Sequence, residues 1–130
     1  MGRSSSYSNT TGQYNTMIGR DAGYYNTTGS CNSILGAAAL LCNTSGGFNV
    51  AVGRAALYSN TTADYNTAIG SCTLYANTTG ARSTAVGYQA LTTNTCGDDN
   101  VAVGYQSLKL TTVGSKNTAA GSLAMIANTT

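Results

Sequence analysis

The chain has 130 residues, a net charge of +2, only 8% charged side chains, and no His or Pro. That length fits one domain, and so weak and scattered a charge leaves no footprint for nucleic acid or a membrane surface. With four Asp as the only carboxylates and no His, neither an enzyme activity nor a metal or cofactor is expected. Asn (13), Thr (21), Ser (13) and Gly (16) dominate the polar fraction. Yet 42% of the chain is hydrophobic and nine Tyr are spread along it, which is too apolar for disorder. No apolar run approaches a membrane span.

In chain order the sequence resolves into one repeat of 17 residues without a slip. Residues 1–14 are the end of a unit, entering at its fourth position. Full units begin at Asn15, Asn32, Asn49, Asn66, Ser83 and Asn100, and a partial unit spans 117–130. The consensus is N-T-A-V-G-x-x-A-L-x-x-N-T-T-G-x-x. Residues 1–130 therefore form a single array, and each end stops in mid-repeat.

A 17-residue period is too short for helical repeat modules. Two glycines and a Thr cluster per unit also disfavour helix. The expected fold is all-β, a β-solenoid with one unit per coil. Positions 1–4 are predicted as one short strand and positions 8–11 as a second. Corners fall at position 5, occupied by Gly19, Gly36, Gly53, Gly70, Gly87, Gly104 and Gly121, and at the Asn-Thr-Thr-Gly of positions 12–15. Gly suits a corner that needs positive φ, and Asn tolerates it best among the rest. Like residues then stack about 4.8 Å apart, giving a rod of roughly 36 Å.

Stacking accounts for the residue choice. Asn side chains can hydrogen-bond along the rod, whereas stacked like charges repel. Aromatic columns appear at position 10 (Tyr7, Tyr24, Tyr58, Tyr75) and position 17 (Tyr14, Phe48, Tyr65). Positions 3 and 4 are both apolar, as are 8 and 9, although neighbours on a strand face opposite sides. The large residues are expected to fill the coil, and the Ala face to lie against other copies of the chain.

Several residues are candidates for chemistry or recognition. Position 13 is an unbroken Thr ladder: Thr10, Thr27, Thr44, Thr61, Thr78, Thr95, Thr112 and Thr129. It motivates ice binding as a competing function. Asn-x-Ser/Thr sequons at Asn9, Asn26, Asn43, Asn60, Asn77 and Asn128 all occupy position 12, read as an exposed corner. If these carry glycans, the rod is a scaffold for an extracellular sugar-coated filament. Cys31 and Cys42 flank that corner from neighbouring coils and are a candidate disulfide, while free thiols are the alternative for all four Cys. The pair Asp98-Asp99 reads as a solvated turn, with a bound cation as the alternative.

Units such as Asn66-Thr-Ala-Ile-Gly and Ser83-Thr-Ala-Val-Gly-Tyr-Gln-Ala-Leu resemble the head repeats of trimeric autotransporter adhesins. They are more similar still to the NTAVGYQAL…NTTG arrays of phage tail fibres and related fibre proteins. The resemblance covers the whole chain through short, low-complexity motifs. It implies a left-handed β-roll assembled as a parallel homotrimer, in an extracellular, cell-surface or virion fibre that contacts a host or a surface, including cell-surface glycans. The period departs from the shorter adhesin unit, and the stalk and anchor of adhesins have no counterpart here. The function expected is a structural fibre segment for surface or host attachment, with further copies of itself as partner.

Overall fold

A computed structural model describes residues 2–128. Its seven strands are β1 (Thr16–Ile18), β2 (Ser33–Leu35), β3 (Val50–Val52), β4 (Thr67–Ile69), β5 (Thr84–Val86), β6 (Val101–Val103) and β7 (Thr118–Ala120). They form one parallel sheet in the order β1-β2-β3-β4-β5-β6-β7. The register pairs Thr16 with Ser33, Met17 with Ile34 and Ile18 with Leu35, and so on along the rod. Each partner is one repeat away, so the fold is a parallel β-solenoid.

The second predicted strand, at positions 8–11, does not form. That segment is two successive turns, closed in the third coil by Ala56 N–H to Gly53 C=O (3.3 Å) and Asn60 N–H to Leu57 C=O (3.2 Å). The cause is backbone handedness. Positions 7 and 9 lie at positive φ in coil after coil, as at Ala55 (55°) and Leu57 (52°). This left-handed conformation is sparsely used by residues with a Cβ. It directs some amides back within the coil, as from Ala39 N–H to Gly36 C=O and from Asn43 N–H to Leu40 C=O, where a strand would pair them with a neighbouring coil. Coil-to-coil hydrogen bonding nevertheless continues, with Leu40 N–H donating to Ala56 C=O (2.9 Å) and Cys42 N–H to Tyr58 C=O (3.0 Å). Position 17 is also left-handed, for instance at Phe48 (57°) and Tyr65 (62°).

The expected partition of apolar residues is reversed on the strand. Position 3 points inward: Ala51, Ala68, Ala85 and Ala102 are fully buried. Position 4 points outward, with Ile18, Leu35, Ile69 and Val103 40–50% exposed. Positions 8 and 9 both point inward, as Ala39 with Leu40 and Ala56 with Leu57. Because this segment turns, adjacent side chains need not alternate. From the third coil to the sixth, Leu at position 9 fills the narrow interior with another Leu in the preceding coil, and position 3 is Ala at Ala51, Ala68, Ala85 and Ala102. The first full coil shows the same constraint from the other side. Its position 9 is Gly23, and a Cβ there would lie 2.5 Å from Met17 Sδ and 3.2 Å from Ile34 Cδ1. The larger residues at position 3 take the space Leu leaves elsewhere, which conserves core volume.

Candidate interaction face

Two amide ladders hold the coils in register and decide what the surface can offer. At position 12, Asn43 Nδ2 donates to Asn26 Oδ1 (2.6 Å) and to Gly46 C=O (2.8 Å). Asn60 and Asn77 repeat the pattern. At position 1, Asn49 N–H donates to Asn32 Oδ1 (2.9 Å) while Asn49 Nδ2 donates to Ala63 C=O (2.9 Å). Ser83 interrupts the second ladder but keeps it continuous, because its Oγ accepts from Asn100 N–H at 3.2 Å.

The sequon asparagines are therefore not at an exposed corner. Asn26, Asn43, Asn60 and Asn77 are fully buried, and the nitrogen that would carry a glycan is the one donating along the ladder. At the array's ends, Asn9 is exposed and Asn128 half-buried. Asn9 Nδ2 donates to Gly12 C=O at 3.0 Å, and Asn128 Nδ2 to Asn117 Oδ1 at 3.1 Å.

The Thr ladder at position 13 is also structural. Thr44 Oγ1 donates to Thr61 C=O (3.0 Å) and Thr61 Oγ1 to Thr78 C=O (3.1 Å). Thr10, Thr27, Thr78 and Thr95 do the same. Their hydroxyl protons are spent within the rod. Thr112 is exposed, and Thr129 lies outside the described residues. Position 5 keeps its role: Gly19, Gly36, Gly53, Gly70, Gly87, Gly104 and Gly121 all have φ between 125° and 149°.

Cys31, Cys42, Cys72 and Cys96 are free thiols. Columns 17 and 11 stand at opposite ends of the Asn-Thr-Thr-Gly corner, and Cys31 and Cys42 are not joined across it. Burial pushes the Cys42 thiol up, keeping it protonated. Asp98 and Asp99 are engaged by Arg82, whose Nη2 is 3.5 Å from Asp98 Oδ2 and whose Nε is 2.7 Å from Asp99 Oδ1. The chain uses few charges, and at position 17 it stacks them with alternating sign: Arg82, Asp99, Lys116.

The outward side of the sheet is the most distinctive surface. Position 2 supplies Thr16, Ser33, Val50, Thr67, Thr84, Val101 and Thr118, and position 4 runs from Ile18 through Val103 to Ala120. The two ranks carry no charge. They run in register over seven rungs, about 29 Å at the strand spacing. The apolar pair at positions 3 and 4 does not by itself distinguish this face from the buried one; the hydroxyl residues at position 2, on the same side as position 4, are the signal that could have.

Comparison with protein-family models, with curated proteins and with solved structures finds no match.

Proposed function

We propose that this chain is a structural fibre segment, a stiff rod for surface or host attachment, assembled as a parallel homotrimer through the face at positions 2 and 4. The observation that carries the reading is the apolar rank on an uncharged sheet in which Ile18, Leu35, Ile69 and Val103 are exposed and Val52 and Val86 partly so. Contiguous exposed apolar surface of this kind marks an association site. Covering one half-exposed Val or Ile contributes roughly 1 kcal/mol, so six rungs supply several kcal/mol per chain. Hydrogen bonds running coil to coil make the rod one continuous unit, as a fibre requires. The resemblance to tail-fibre and adhesin arrays supports an extracellular or virion setting.

Light scattering of the purified chain tests the reading. A trimer mass is expected, with sedimentation showing an elongated particle. Val52→Lys with Val86→Lys places charges on the face and gives folded monomers. A monodisperse wild-type monomer at micromolar concentration overturns the proposal.

A further inference from the structure

Column 10 reads Tyr7, Tyr24, Leu41, Tyr58, Tyr75. Tyr7 stacks on Tyr24 with centroids 5.0 Å apart and planes 10° off parallel. Tyr58 stacks on Tyr75 at 4.9 Å and 13°. Between the two pairs the column carries Leu41, which is shorter than a Tyr and has no ring. Tyr24 and Tyr58 are thus two coils apart, roughly 9.6 Å at the strand spacing. That distance leaves room for one further ring at the spacing the pairs already use.

A depression of about 260 Å³ opens on the Tyr24 side of that gap, lined by Asp21, Tyr24, Tyr25 and Leu41. Tyr25 stands edge-on to Tyr24, with centroids 4.7 Å apart and planes 72° from parallel, and so forms a side wall. Asp21 brings a carboxylate to the rim, where Arg20 Nε is 3.4 Å from its Oδ2. Arg20 is largely exposed and the contact is loose, so the carboxylate remains able to accept hydrogen bonds.

We propose that this notch binds a neutral pyranose ring, one sugar unit of a surface glycan, in the place of the missing aromatic. A pyranose combines a flat C–H face, which packs on a Tyr ring, with hydroxyls at its edge, which donate to a carboxylate. The notch offers both complements side by side. A purely aromatic guest would use the Tyr24 face and leave Asp21 without a role. Leu41 is the determinant of the site: its small side chain opens the column and forms the floor. The proposal takes its purpose from the fibre reading, but its test does not depend on how many chains associate.

The experiment is saturation-transfer NMR on the whole chain with three probes: methyl β-D-galactopyranoside, methyl β-D-glucopyranoside and methyl α-D-mannopyranoside. At least one is expected to receive saturation from the wild type. Leu41→Tyr restores the missing ring, continues the stack and should abolish the transfer with no loss of thermal stability. Asp21→Asn retains the shape and should weaken the same binding several-fold. Transfer that persists equally in Leu41→Tyr overturns the proposal, as does no transfer to any of the three sugars. Binding of p-cresol at the notch with indifference to Asp21→Asn also overturns it, in favour of an aromatic guest. If Leu41→Tyr unfolds, Leu41→Phe serves in its place.

Discussion

Asn43 donates from its Nδ2 to Asn26 Oδ1 across 2.6 Å inside the rod, and accepts in turn from Asn60 Nδ2 at 2.9 Å. Each amide so placed is both rung and spacer, and from Asn26 to Asn94 none is exposed. Asn60→Ala removes the donor to Asn43 Oδ1 and to Ala63 C=O, and the acceptor for Asn77 Nδ2. Orphaned buried polar groups cost about 1–3 kcal/mol each. A loss of roughly 3 kcal/mol is expected, read as a lower denaturation midpoint by circular dichroism.

The same ladder ends in a flaw that can be repaired. Position 12 of the next unit is Thr111, and Asn94 Oδ1 is buried with no hydrogen-bond partner among the described residues. Thr111 Oγ1 donates instead to Asn128 C=O at 2.9 Å. Thr111→Asn offers an Nδ2 to Asn94 Oδ1 and to Gly114 C=O, following the pattern of Asn43. A gain of about 1 kcal/mol is expected, measured as a higher thermal midpoint. A lower midpoint would show that the Thr111 hydroxyl bond outweighs the orphaned carbonyl.

How much of this was legible follows from what each column repeats. The 17-residue spacing of Asn15, Asn32 and Asn49 dictates coil length and register, and the strand pairing reproduces it residue for residue. Position 5 advertises its corner, because glycine there has one reading. Positions 7 and 9 advertise nothing: Ala38, Gln89, Leu57 and Leu91 are not turn-formers, yet all sit at positive φ. Tertiary stacking imposes that conformation against local preference. Without it the segment at 8–11 reads as a strand, alternation is applied where none exists, and the wrong side of positions 3 and 4 is placed inside. The burial of the sequon asparagines was hidden for a related reason. Asn-Thr-Thr-Gly is good turn chemistry, and nothing in it says that the Asn side chain points into the coil.

Gly53 probes the corner directly. Its φ is 126°, and a Cβ there would lie 2.5 Å from Gly70 O and 2.6 Å from Gly70 C. Both atoms are backbone of the next coil, so neither can rotate away. Gly53→Ala should therefore cost roughly 3 kcal/mol through strain and forced separation of two coils. Amide exchange should rise first at β3 and β4. Gly121→Ala meets only Ala124 Cβ at 3.9 Å and should cost less, from its backbone angle alone.

The charged column makes stability depend on pH in a stated direction. The side-chain hydrogen bonds from Arg82 Nε (2.7 Å) and Nη2 (3.1 Å) hold the Asp99 carboxyl below the usual carboxylate range, with the Arg82 and Lys116 charges acting the same way against a smaller opposing effect of desolvation. A carboxyl whose folded value is depressed stabilises the fold above its unfolded value, near 3.9. That contribution is lost as pH falls through the depressed folded value. The wild-type thermal midpoint should accordingly fall more steeply below about pH 4 than that of Asp99→Asn. The pair is solvent-exposed, so the difference should be small and should shrink further in about 1 M salt, where the screening length is near 3 Å. Parallel melting curves for the two proteins from pH 2 to 6 would show instead that Arg82 and Asp99 meet without stabilising the rod.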